Sequence, residues 1–69
     1  MNRDHVQSSN IESIGYDAET QTLEIGFLNG SVYQYFDVPE QVYEGIMSAD
    51  SHGKYFAAFI KGHYRYSRV

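Results

Sequence analysis

The strongest constraint on the fold of this chain is the dipeptide Asn29-Gly30, which separates two short stretches of alternating apolar residues. Asn-Gly favours the two-residue type I′ hairpin turn, because both central residues of that turn need positive φ. Residues 23–27 precede the dipeptide, and residues 31–36 follow it, with the period-2 pattern of strands. We therefore predict an antiparallel hairpin whose loop residues, Asn29 and Gly30, both have positive φ.

A two-residue loop also sets the pairing of the two strands, because residues opposite one another share a face of the sheet. The predicted core face carries Leu23, Ile25, Phe27, Val32 and Phe36. The other face carries Glu24, Gly26, Leu28, Tyr33 and Tyr35, with Glu24 opposite Tyr35. A slip of one residue in this register would exchange the two faces.

The remaining pattern predicts one more strand and two helices. A strand over residues 11–18 places Ile14 and Tyr16 on the core face, with Tyr16 opposite Leu23, and residues 1–9 form a loose polar lead-in. Pro39 suits the first position of a helix. The apolar spacing of the two helices is carried by Val42, Tyr43, Ile46 and Met47, and by Tyr55, Phe56, Phe59 and Ile60.

Capping residues set the ends of these helices. The first should end near Ser48, Asp50 or Ser51 can cap the second, and Gly62 can close it. We predict an α+β domain over residues 1–69, with an ordered core over about 8–66. It has a three-stranded antiparallel β-meander, two short α-helices packed on one sheet face, and a short C-terminal extended tail.

Composition excludes several classes of function. The 69 residues suffice for one domain, and the absence of cysteine excludes disulfides, thiolate metal sites and a cysteine nucleophile. The three histidines lack the spacing of metal ligands. No apolar run is long enough for a membrane span, and no secretory signal follows Met1. We expect a cytoplasmic protein with no cofactor, no metal and no membrane contact.

Charge is distributed unevenly along the chain. The net charge is −4, yet all nine acidic residues lie in residues 1–50 and four of the five basic residues lie in residues 51–69. Such asymmetry indicates either a basic contact surface or a basic tail that folds against an acidic sheet. The four basic residues are Lys54, Lys61, Arg65 and Arg68.

Several short motifs together resemble one known family. They are Ser8-Ser9-Asn10-Ile11, Ile14-Gly15-Tyr16-Asp17, Leu23-Glu24-Ile25, Tyr33-Gln34-Tyr35, Val38-Pro39, Val42-Tyr43, Ser51-His52-Gly53-Lys54-Tyr55-Phe56 and the stretch from Ile60 to Tyr64. Over about residues 6–66 the chain resembles the KTSC family, named for its place at the C-terminus of some lysyl-tRNA synthetases and also found as free-standing bacterial proteins. The family's function is not established. The occurrence of the domain within lysyl-tRNA synthetases implies RNA binding by association.

Tyr33 and Tyr35 are the first candidate binding residues. Alternate residues of one strand lie on one face about 7 Å apart, a spacing at which two rings could stack successive RNA bases. The alternative is that helices or a second subunit cover this face. Glu24, predicted opposite Tyr35, would repel phosphate.

Two further segments could bind nucleic acid. Ser51, His52 and Lys54 start a predicted helix, where free N–H groups can bind an anion; the alternative is a helix cap followed by a tight turn. In the tail, aromatic and basic residues alternate as in segments that grip single strands. Its candidate residues are Lys61, His63, Tyr64, Arg65, Tyr66 and Arg68. The alternative is that its tyrosines pack on the domain and its charges are only solvated.

No enzyme constellation emerges from the sequence. Asp50-Ser51-His52 holds the residue types of a catalytic triad, but neighbours in sequence do not converge into a relay. We therefore predict a small non-enzymatic binding module whose partner is single-stranded RNA. The alternative is a protein–protein interaction module or homodimer with no nucleic-acid role, which the seven tyrosines and four phenylalanines favour.

Overall fold

A five-stranded antiparallel sheet, with its strands in sequence order, forms the frame of the molecule. The computed structural model describes all residues, Met1–Val69. The strands are β1 (Asp4–His5), β2 (Ile11–Asp17), β3 (Thr22–Phe27), β4 (Val32–Tyr35) and β5 (Tyr66–Arg68). The helices are α1 (Glu40–Ser48) and α2 (His52–Tyr55), and α2 continues directly into a π-helical turn (Phe56–Ile60). The predicted α+β class with two helices is confirmed.

The predicted count of three strands is wrong, because a short strand is added at each edge of the meander. In β1, Asp4 pairs with Ile14, so residues 1–9 are not a loose lead-in. In β5, Tyr66 pairs with Tyr35, so part of the predicted extended tail belongs to the sheet. Two or three residues are too few for an alternating pattern to be visible in the sequence, and pairing partners alone define these strands.

The central hairpin has a three-residue loop instead of the predicted two-residue loop. The Phe27 N–H donates to the Ser31 carbonyl at 2.8 Å, and the Gly30 N–H donates to the Phe27 carbonyl at 2.9 Å. Gly30 has φ +93°, whereas Asn29 is not at positive φ. Positive φ at the last loop residue alone is typical of a type I turn followed by a glycine bulge. The prediction of a type I′ turn is therefore wrong.

The extra loop residue shifts the register of β4 by one and exchanges its faces. Tyr35 pairs with Leu23 and Tyr33 with Ile25, so both tyrosines lie on the face that the helices cover. Val32, predicted in the core, pairs instead with Gly26 on the opposite face, and Phe36 is likewise only half-buried. We call the first side the helix-covered face and the second the open face.

The core lies between the helix-covered face and the two helices. Its buried residues are Ile11, Ile14, Leu23, Ile25, Tyr35, Val38, Ile46, Phe56 and Ile60. Tyr16 pairs with Leu23 as predicted. Phe56 is 7% exposed, but Phe59, which shares the apolar spacing predicted for the second helix, is 57% exposed and does not belong to the core. The Phe59 ring lies 4.7 Å from that of Tyr55, on the outer side of the π-helical turn.

The helix ends follow the predicted capping chemistry with small shifts. Pro39 has ψ 150° and therefore precedes α1 instead of opening it. Ser51 caps α2, because its hydroxyl oxygen accepts a hydrogen bond from the Lys54 N–H at 3.2 Å. Gly62 follows the π-helical turn with φ +82°, as expected for a glycine that closes a helix. Neither helix has the length and apolar character needed to cross a bilayer.

Candidate functional site

A groove of about 520 Å³ lies on the helix-covered face, between the β3–β4–β5 end of the sheet and the end of the π-helical turn. Five of its lining residues are aromatic: Phe27, Tyr33, Tyr35, Phe56 and Tyr66. The others are Asn10, Asn29, Ser31, Lys61 and Gly62. We call it the aromatic groove. An apolar lining with a few polar groups at its rim is the usual character of a ligand site.

The rings of the aromatic groove form one contact network. Tyr66 lies 5.8 Å from Tyr33 and 5.9 Å from Tyr35, between ring centroids. Phe56 lies 5.6 Å from Tyr35 and 5.5 Å from Phe27. These separations are typical of favourable aromatic pairs. The network therefore holds its own shape without a ligand.

Exposure differs sharply between rings that lie side by side. Tyr35 is 6% exposed, whereas Tyr66, its partner across the β4–β5 ladder, is 62% exposed. Tyr35 is therefore part of the buried wall of the groove, whereas Tyr66 has exposed ring surface on which a ligand could stack. Tyr33 and Tyr35 pack in the domain, as the alternative interpretation expects, and they also line the groove. Base stacking on these two rings stays a prediction.

Burial widens the pH range over which the Tyr35 phenol stays neutral. Desolvation raises the pKa of Tyr35 to about 12, with smaller contributions from Tyr33 and Tyr66. A phenol with that pKa is neutral at physiological pH.

Two basic side chains lie beside the rings. Lys61 lines the aromatic groove, and the Arg68 guanidinium lies 5.9 Å from the centre of the Tyr33 ring, within cation–π range. Among the chain's three ion pairs, the only one that uses a base from residues 51–69 joins Arg65 to Asp37 at 2.8 Å. The expectation that the basic tail folds against acidic residues therefore holds for Arg65. Lys61 and Arg68 form no ion pair.

A more open depression of about 560 Å³ adjoins the groove. His63, Tyr64 and Arg65 line it together with Phe36. The Arg65 guanidinium lies 5.7 Å from the centre of the Phe36 ring while it binds Asp37. Of the sequence-predicted tail residues, Lys61 lines the groove, His63, Tyr64 and Arg65 line this depression, and Tyr66 lines both.

The predicted anion site at the start of α2 is built as a helix cap. Ser51 is occupied by the Lys54 N–H, and His52 Nδ1 donates to the Ile46 carbonyl at 2.6 Å, which ties α2 to α1. Lys54 itself is exposed. None of these three residues lines the aromatic groove. The structure therefore does not bring them together with Tyr33, Tyr35 and the tail.

The open face carries a polar network that sequence reasoning missed. Arg3 Nη1 donates to Glu24 Oε2 at 2.5 Å, and Arg3 Nε donates to Ser13 Oγ at 2.8 Å. Gln34 Nε2 donates to Glu24 Oε1 at 2.8 Å. Burial raises the pKa of Glu24, but the hydrogen bonds from Gln34 and Arg3 outweigh it and hold that pKa below its usual range.

Two consequences follow for the predicted site. Glu24 pairs with Gln34, not with Tyr35, so the prediction that its carboxylate faces the tyrosines is wrong. Its charge lies on the other side of the sheet and is compensated by Arg3. Arg3 crosses the sheet over Gly26, where a Cβ would come within 3.0 Å of the Arg3 Nε.

Sequence reasoning also missed Asn10, Asn29 and Ser31 as groove residues. Asn29 served only as a turn signal, and Asn10 only as the edge of a loop. Their position at the groove depends on the hairpin register and on the Leu28 N–H, which donates to the Asn10 carbonyl at 2.9 Å. The structure has no group of three or more histidine, cysteine or carboxylate side chains that could hold a metal ion.

Comparisons with known proteins show what the chain resembles. An uncharacterised protein of Stutzerimonas stutzeri is 44% identical over 70 residues, which covers 100% of this chain and 99% of that protein. The crystal structure of a KTSC domain protein from Yersinia pestis has a TM-score of 0.94 and 43% identity, and the match covers 99% of this chain and 96% of that chain.

A longer relative contains the same domain. A lysine–tRNA ligase of Nostoc punctiforme is 43% identical over 63 residues, or 91% of this chain, which spans only 11% of that relative's length. The model of the KTSC domain matches residues 7–64. This chain therefore belongs to the KTSC domain family.

Proposed function

We propose that the chain is a small non-enzymatic module that binds single-stranded RNA in the aromatic groove. One base stacks on Tyr66, and the adjoining phosphates lie beside Lys61 and Arg68. The observation that carries this proposal is a tyrosine ring 62% exposed at a groove to which two unpaired basic side chains are adjacent.

The physical chemistry of single-stranded RNA supports the assignment. Its unstacked bases bind aromatic rings, and each base stacked on a ring contributes about 1–3 kcal/mol. Two unpaired basic groups beside Tyr66 favour phosphate locally even though the chain as a whole carries a charge of −4. With so few cations the affinity should be modest and should fall as salt is added.

The relatives give independent support of a weaker kind. Among them are proteins named lysine–tRNA ligases from Nostoc punctiforme and Trichormus variabilis, each containing a segment similar to this chain. A domain joined to a protein that handles tRNA has RNA within reach. This association favours RNA as the ligand, whereas the groove supplies the mechanism.

A titration of Tyr66→Ala tests the stacking step. We expect the affinity for a short single-stranded RNA at low salt to fall about 5- to 150-fold, which corresponds to the loss of one stacked base. Phe59→Ala is the matched control, because Phe59 is 57% exposed but does not line the groove. Backbone-amide NMR would report both affinity and fold. Equal losses in the two variants would contradict the proposal.

The phosphate contacts have their own test. Lys61→Gln combined with Arg68→Gln should reduce the salt dependence of RNA binding by a slope of about 1.4, since each phosphate contact contributes about 0.7 for single strands. Arg65→Gln is the control, because the Arg65 guanidinium already binds Asp37. An unchanged salt slope in the double variant would remove these two residues from the interface.

A second candidate function, self-association, rests on the exposed edge of β5. The Arg65 carbonyl and the Val69 N–H bond to β4, so the alternating backbone groups of Tyr66 and Arg68 face outward. Antiparallel pairing of two copies about Ser67 would place Tyr66 opposite Arg68 of the partner subunit. Sedimentation equilibrium tests this arrangement, and a monomer mass at every concentration would contradict it.

A further inference from the structure

We propose that the rim of the aromatic groove selects the base, and that Asn10, Asn29 and Lys61 favour guanine over adenine. This inference rests on the proposed RNA binding and adds specificity to it. The three side chains line the groove and present hydrogen-bond donors.

The amide of Asn29 has a fixed orientation. Its Oδ1 accepts the Ser31 N–H at 3.0 Å and the Ser31 hydroxyl at 2.7 Å. A backbone N–H can only donate, so the oxygen must face Ser31 and the nitrogen must point away. The two bonds occupy both lone pairs of Oδ1. Asn29 therefore offers a ligand only its N–H donors.

The amide of Asn10 is oriented by a different chain of bonds. The Ser8 hydroxyl oxygen accepts the backbone N–H groups of Asn10 and Ile11, at 3.3 Å and 3.2 Å. Its proton is then free to be donated to Asn10 Oδ1, which lies 3.1 Å away. The Asn10 Nδ2 makes no hydrogen bond within the chain and remains available.

Asn10 and Asn29 belong to neighbouring segments of the groove wall. The Leu28 N–H donates to the Asn10 carbonyl at 2.9 Å, so Asn10 lies beside the hairpin loop that carries Asn29. Lys61 adds an ammonium group, which has no acceptor and whose three donors can bond a base and the adjoining phosphate at the same time. Ser31 uses its hydroxyl proton on Asn29 and therefore offers only an acceptor, while the hydroxyls of Tyr33, Tyr35 and Tyr66, deeper along the ring network, can donate or accept.

Such a rim distinguishes the two purines. Guanine presents two adjacent acceptors, N7 and O6, whereas adenine presents the N7 acceptor beside the N6 amino donor. Both bases have the same ring system with which to stack on Tyr66. A donor rim can bond both guanine acceptors, but it confronts the adenine amino group with another donor and leaves both unpaired.

Three otherwise identical oligonucleotides test the selection. Each is a pentanucleotide of uridines with guanosine, inosine or adenosine at its centre. Guanosine and inosine share O6, and inosine lacks the 2-amino group, so both should bind at least about 5-fold more tightly than adenosine. If inosine binds like adenosine, O6 is not the recognised atom and the proposal fails.

Asn29→Asp tests the residue directly. A carboxylate keeps an acceptor for the Ser31 N–H, so the loop is preserved, but it replaces the free N–H donors with an acceptor. We expect the ratio of guanosine to adenosine affinity to fall toward one or to invert. Gln41→Glu makes the same change of charge on the exposed side of α1, away from the groove, and should leave the ratio unchanged.

The outcomes separate this inference from the proposed function. Measurable binding of all three oligonucleotides with equal affinity would overturn base selection and leave RNA binding intact. No binding of any oligonucleotide would overturn both. An unchanged ratio in Asn29→Asp, with guanosine still preferred, would remove Asn29 from the recognition.

Discussion

The two faces of the same sheet are stabilised by opposite chemistry. The helix-covered face is filled by aliphatic and aromatic side chains, whereas the open face is closed by Arg3, which crosses it to reach Glu24. The strands supply both sets, since successive residues point to opposite sides. The sheet is thus covered twice, once by helices and once by a single long side chain.

The comparison also shows where a ligand can act. On the open face, Arg3, Glu24 and Gln34 bond one another, so their polar atoms are already engaged. At the aromatic groove, Lys61 and Arg68 have no carboxylate partner, and the rings extend beyond the cover that the helices provide. Unpaired cations beside exposed rings, and not polarity alone, are therefore the reason to propose the aromatic groove as the binding surface.

The largest expected effect is on the helix-covered face. Phe56→Ala removes a ring that contacts both Phe27 and Tyr35, and we expect the free energy of unfolding to fall by about 3–5 kcal/mol. Phe59→Ala removes an exposed ring paired only with Tyr55 and should cost about 0.5–1 kcal/mol. Urea denaturation measures both. Similar losses would show that the π-helical turn does not separate the two residues as described.

The open face should respond to Glu24→Gln with a smaller loss. The variant leaves the half-buried Arg3 guanidinium without its carboxylate, and we expect a cost of about 1–3 kcal/mol. Asp37→Asn breaks the pair with Arg65, in which both side chains are about three-quarters exposed, and should cost between about 0 and 1 kcal/mol. Equal effects would mean that Arg3 contributes no more than a surface charge.

At acidic pH, the difference in unfolding free energy between the wild type and Glu24→Gln should disappear. The pKa of folded Glu24 is held below its usual range. The ionised carboxylate therefore stabilises the folded state at pH values above about 4.3, the ordinary pKa of a glutamate. That contribution is lost as the pH falls toward the folded-state pKa. Urea titrations at neutral and acidic pH measure it, and a gap that stays constant would place the effect of Glu24 in packing instead of charge.

The mildest test follows the ionisation of Tyr35. The pKa of Tyr35 is raised to about 12. The neutral phenol therefore stabilises the folded state at pH values below about 10, the ordinary pKa of a tyrosine, and this stabilisation is lost as the pH rises toward 12. Ultraviolet titration of tyrosinate should show a late phase that Tyr35→Phe reduces by one tyrosine, while burial also raises the pKa of Tyr16 above the ordinary value. A wild type whose tyrosines all ionise together near the ordinary pKa would contradict the buried position of Tyr35.

The periodicity of apolar residues predicted most of the helices and strands. The errors in register and in the assignment of sheet faces came from the length of one loop. The spacing that includes Ile46 and Phe56 identified the helices, and alternation identified β3 and β4. The choice between a two- and a three-residue loop at Asn29-Gly30 is not visible in the dipeptide, because Gly30 at positive φ satisfies both turns. That choice determines which face Tyr33 and Tyr35 occupy.

The site was only partly predictable for a related reason. Tyr66, Lys61 and Arg68 were identified from their alternation in the tail, which pairing with β4 then brings to the groove. Asn10 and Arg3 carried no local signal, since their roles depend on residues distant in sequence. A bond across the sheet leaves no trace in the spacing of one segment.

The positions of the two chain ends give a rule for attaching other molecules to this protein. β1 and β5 are the opposite edges of the sheet, four strand spacings apart, or roughly 19 Å. A label or fusion joined through the amino end leaves from the edge farthest from the groove. The same addition after Val69 leaves directly beside Tyr66 and Arg68, where it would compete for the space that a ligand needs.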